Sequence, residues 1–135
     1  MFSNIIYSEN ANLLAVLGAQ ITNQIANQNL LIADQIRGLS NLIQAKSRQT
    51  DTKIRNRNAT EGTSPLFELP NDANVLPSEA VPPVIYPLVR SALFGNNFSV
   101  ANCNALMAHF GILNPAGLQR DAKQNAIALY IGLIV

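Results

Sequence analysis

From Ser8 to Ser64 the chain contains neither proline nor an aromatic residue. A gap of that length is typical of a long helix, because proline breaks the backbone ladder and aromatic side chains lose rotamer freedom against the preceding turn. Inside the gap runs an apolar track: Leu14, Leu17, Ile21, Ile25, Asn29, Ile32, Ile36, Leu39 and Ile43, with steps averaging 3.6 residues. That is one helical face held for about eight turns. Three successive steps of four interrupt a strict heptad and act as a stutter. Ser8 is placed as an N-cap, with Glu9 at the positive end of the helix dipole.

The chain has no second segment of matching length, so a helix with this stripe needs another copy of itself or a different partner. Asn29 lies on the track, where an amide can fix register at some cost in stability. Gly38, followed by Ser40, predicts a kink. Beyond Ile43 the track fades to Lys46, Thr50 and Ile54, which predicts a frayed basic end.

Charge divides the chain further. Charged residues make up 13% of it, against roughly 25% for an average soluble domain, and 25 Asn and Gln stand against 17 charged residues. Polar faces are therefore built from neutral amides, which favour self-association over repulsion. Six cations (Arg37, Lys46, Arg48, Lys53, Arg55, Arg57) lie between 37 and 57, followed by Glu61, Glu68, Asp72 and Glu79 with no cation before Arg90. Such blocks can pair with each other, or the basic one can meet nucleic acid.

Six of the seven prolines lie in 65–87, which predicts a stiff, extended segment whose apolar residues lie against something. After it, Pro87 and Gly95 frame a short helix over Leu88–Phe94. Ser99 caps a second, with Val100, Cys103, Leu106, Met107 and Phe110 on one face and Gly111 as its stop. A last helix presents Ile127, Tyr130, Ile131 and Ile134, with Leu129 and Leu133 left for a partner. The expected fold is all-α: a long coiled-coil-type N-terminal helix with a basic end (1–60), a Pro-rich acidic linker (61–86) and a small three-helix module (87–135).

The parts for catalysis are few. Cys103 and His109, the sole thiol and the sole histidine, point about 120° apart on one helix. Cys103 reads as a core residue and His109 as an exposed one near a helix C-terminus. One Cys and one His do not make a zinc site, and the glycines form no phosphate loop. The expectation is a non-enzyme with no cofactor and no metal. Amides interrupt the apolar run 11–33, so no membrane span is expected. The first cation, Arg37, comes too late for the charged start of a signal peptide. An intracellular chain is expected, with cytoplasm and nucleus equally compatible.

Phe98-Ser99-Val100, Leu106, Phe110-Gly111-Ile112, Gly117-Leu118-Gln119-Arg120 and the helix after Asp121 resemble a SAP-type helix–extended loop–helix motif over 98–132. Cys103 departs from the family's large aliphatic residue, and the cations are few. The resemblance implies DNA-backbone contacts by Arg120 and Lys123.

Three readings follow. The first is an oligomeric assembly or adaptor protein, self-associating through the Leu14–Ile43 face and binding another protein through its C-terminal module. The second is a weak nucleic-acid binder using Lys46, Arg48, Lys53, Arg55, Arg57, Arg120 and Lys123. The third is a self-assembling structural or coat-like protein.

Overall fold

The computed structural model describes residues 2–135, with side chains from Ser8 onward. The chain is all-α: three α-helices, α1 (Phe2–Asn56), α2 (Val100–Phe110) and α3 (Arg120–Ile131), with short 3-10 turns at Pro77–Glu79, Arg90–Leu93 and Gly95–Asn97. Ser8 thus lies inside α1 rather than capping it, and the helix continues through Gly38 and Ser40 without interruption. The chain divides into two units, 1–39 and 40–135.

In the first unit every residue from Ser8 to Leu39 is exposed. Helical pairing satisfies the backbone here, but no side chain of this stretch enters a core.

The second unit begins inside α1 and holds the hydrophobic core. Leu66, Leu69, Leu93, Phe98, Cys103, Leu106, Met107, Phe110, Ile127, Ile131 and Leu133 form one buried cluster. Helix α2 is set as expected. The Ser99 side chain accepts from the Asn102 amide at 3.1 Å, and Gly111 ends the helix at φ 68°. Val100 departs from the expected face, being exposed. In α3, Ile127 and Ile131 are buried, and Gly132 turns the chain at φ 104°. A Cβ on Gly132 would run into the backbone of Lys53, so only glycine allows this approach. Leu133 then enters the core while Ile134 stays exposed, the reverse of the face read from the sequence. The left-handed turn at Gly132 shifts the chain off the helical phase.

The expected linker 61–86 is not a linker. Leu66, Leu69, Pro70 and Pro77 are buried, and the backbone pairs locally: the Leu66 amide donates to the Leu88 carbonyl and the Arg90 amide to that of Ser64, both at 2.9 Å. This pairing holds 88–89 extended, so the expected Leu88–Phe94 helix shrinks to the 3-10 turn Arg90–Leu93. Glu68 closes the segment further, accepting from the Ser78 amide at 2.6 Å and its hydroxyl at 2.9 Å. The boundaries at 60 and 86 therefore give way to one at 39/40. Proline excluded helix from this segment but did not keep it out of the core.

Candidate assembly face and the docked basic segment

The last four turns of α1 bury Ala45, Gln49 and Asn56, positions i, i+4 and i+11 that share one face. The expected frayed end is the best-anchored stretch of the helix. Asn56 is completely buried and ties three segments together. Its Nδ2 donates to the carbonyls of Ile131 (2.9 Å) and Phe67 (3.0 Å), and its Oδ1 accepts from the Phe67 amide at 2.7 Å. The Tyr86 hydroxyl also donates to the Phe67 carbonyl, at 2.8 Å, and burial pushes its pKa upward. Seven residues earlier, Gln49 Nε2 donates to the Pro70 carbonyl (2.9 Å) and to Asp72 (3.0 Å). Asp72 also takes an ion pair from Lys46 at 2.9 Å. The hydrogen bond from Gln49, followed by that from Lys46, holds the Asp72 carboxyl below its ordinary range.

These contacts account for most of the basic block. Beside Lys46, Arg48 donates to Asn74 Oδ1 at 2.6 Å. The Lys53 ammonium lies 4.4 Å from the Tyr130 ring centroid and Arg55 5.7 Å from that of Phe67, both within cation–π range. Burial lowers the Lys53 pKa. Arg57 is exposed. The two cations singled out by the SAP resemblance fare differently. Lys123 is buried, only 9% exposed, with its ammonium bonded to Asn104 Oδ1. That burial removes it from the groups able to reach a phosphate. Arg120 is half-buried beside a shallow depression shared with Val100, Gln119 and Asp121. Its Nε is buried without a hydrogen-bond acceptor, 3.9 Å from Asp121 Oδ1.

Cys103 is fully buried in the core, and burial raises its pKa. His109 is not the exposed residue expected. It is half-buried, with Nε2 3.0 Å from the Val75 carbonyl and its ring edge-on to Phe110. The proline-rich segment, whose residues were expected to lie against something, supplies this contact through Val75. Among the described residues no cluster of three His, Cys, Asp or Glu is placed to hold a metal, and no helix is long and apolar enough to cross a membrane.

The apolar track is placed on the surface throughout. Leu14, Leu17, Ile21, Ile25, Ile32, Ile36, Leu39 and Ile43 are 44–69% exposed, and Asn29 is exposed among them. Within the second unit the continuation of the track is equally open: Ile43, Thr50 and Ile54 are exposed while Ala45, Gln49 and Asn56 are buried. In this unit the core therefore uses a different face of α1, about 140° from Ile43, Thr50 and Ile54 at 100° per residue. The sequence reading missed Asn56 and Gln49 because an amide at helical spacing reads as surface. The clue was the absence of large aliphatic residues on that face, opposite proline-containing chain whose carbonyls need donors.

No protein-family model, no curated protein and no solved structure matches this chain.

Proposed function

We propose that this chain is a non-enzymatic assembly or adaptor protein that self-associates through the Leu14–Ile43 face and engages another protein through its C-terminal unit. The observation that carries this reading is the open track of eight aliphatic side chains on a face that the chain's own core does not use. Fully burying such a side chain contributes roughly 1.5–3 kcal/mol. Two copies covering about half of each would gain roughly 12–24 kcal/mol gross, against roughly 4–15 kcal/mol for association. A track of two or three residues would gain only about 3–9 kcal/mol on the same basis, so the length of this one favours association.

The C-terminal unit leaves Leu113, Leu129 and Ile134 exposed, which supports a protein partner there. The burial of Lys123 and the internal engagement of Lys46, Arg48, Lys53 and Arg55 favour that partner over phosphate. The test is Ile25→Asp combined with Ile32→Asp, followed by absolute mass in solution. The wild-type chain is expected to be oligomeric and the double variant monomeric. An unchanged oligomeric mass in the variant would remove this face as the interface.

A further inference from the structure

The apolar track occupies one side of α1, yet the opposite side of the same stretch is not built as a water-facing surface. Asn12, Val16, Ala19, Asn23, Ala26, Leu30 and Ala33 follow one another in steps of 4, 3, 4, 3, 4 and 3. That is a seven-residue repeat held without a break, the spacing of a helix-to-helix seam. At 100° per residue it lies about 150° round the helix from the track. Every one of these residues is exposed, Val16 and Leu30 more than half so. The seam and the Leu14–Leu39 part of the track both lie within the first unit.

A face turned to water has no use for such a repeat, and it ordinarily carries charge. From Asn10 to Ala33 the helix carries none on any side. Continuing the same spacing reaches Glu9 at one end and Arg37 at the other, so the first charges on this side stand just outside the seam. Within it, Ala19, Ala26 and Ala33 recur every seven residues and let a neighbouring helix approach closely. Asn12 and Asn23 each carry donor and acceptor on one group, which an identical amide can satisfy. A neutral surface gives a charged partner nothing to recognise, whereas copies of this chain meet on it without repulsion.

We propose that Asn12–Ala33 is a second interface, taken by the α1 helix of a further copy, so that each chain has neighbours on two opposite sides and the assembly exceeds a dimer. The inference rests on the self-association reading and adds to it a second face and a size. The seam is the weaker face, with two large aliphatic side chains against the track's eight. A helix without a packed face is marginal in water, so the seam is presented in order only after the track has paired. Charge placed on the track therefore dismantles the whole assembly, while charge placed on the seam stops it at pairs.

The test is Ala19→Glu combined with Ala26→Glu in the full chain, since glutamate is itself a good helix former. Absolute mass and helical circular dichroism are measured on the wild-type chain and the variant at matched concentrations. The expected result is more than two copies for the wild type, and two for the variant with its helical signal retained. A wild-type mass of two copies overturns the second interface and leaves self-association standing. An unchanged larger mass in the variant means that the seam faces water, which overturns it as well. A monomeric variant would merge the two faces into one and overturn the division between them. A monomeric wild type overturns both readings.

Discussion

Two stretches of one helix, residues 8–39 and 40–56, differ in the opposite sense to their composition. The first is rich in leucine and isoleucine and is exposed along its whole length; the second carries five charged residues and is anchored by Ala45, Gln49 and Asn56. What separates them is the surface on offer. The core of the second unit presents the carbonyls of Phe67, Pro70 and Ile131 to the helix. A buried carbonyl without a donor is expensive, so amides are selected there over aliphatics. Within 40–56 the buried face of α1 is therefore built from Ala45, Gln49 and Asn56, while Ile43 and Ile54 stay exposed.

The largest expected effect comes from breaking the anchored side. Asn56→Ala would strand the Phe67 amide and the Ile131 carbonyl in a dry site, at roughly 1–3 kcal/mol for each unsatisfied group. Urea unfolding followed by near-ultraviolet signals of Tyr86 and Tyr130 should show the second unit destabilised by on the order of 3 kcal/mol. An unchanged midpoint would mean that Asn56 fills space without holding the segments. The exposed side should behave oppositely. Ile25→Asp with Ile32→Asp should abolish oligomeric mass while leaving the tyrosine signals of residues 40–135 native.

A smaller effect is expected inside the core. Cys103→Ala removes a buried sulfur and should cost on the order of 1 kcal/mol, without changing mass in solution. The native thiol should label slowly, because burial raises its pKa and the core excludes reagent. Labelling as fast as a free thiol would contradict that placement. The smallest effect should come from the solvated edge of the anchor. Asp72 has a folded pKa below its ordinary 3.8, so its contribution is complete above that value and is lost as pH falls through it toward the folded pKa. Asp72→Asn should flatten the acid limb of a stability-against-pH curve below about pH 4 and change little at neutral pH, as expected for an exposed pair. An identical acid limb in the variant would mean that the contacts of Lys46 and Gln49 contribute nothing.

The sequence by itself determined the elements whose causes are local. Helical periodicity and the missing prolines place α1. Ser99 and Gly111 bound α2, and the apolar spacing of Cys103, Leu106, Met107 and Phe110 puts that face in the core. It also exposed the track, because a stripe with no mate of matching length can be read from spacing alone. Only the tertiary structure decided where the track stops mattering and the anchor begins. Gln49, Asn56, Lys123 and Gln124 are buried because each finds a particular acceptor: Pro70, Phe67 and Ile131, Asn104, Gly95 and Phe98. Those partners lie at least 11 positions away in the chain, beyond any local pattern. The prolines of 61–86 forbade helix, which sequence could say. That they would wall the core followed from carbonyls that needed the donors of α1, a match between distant groups that no periodicity records.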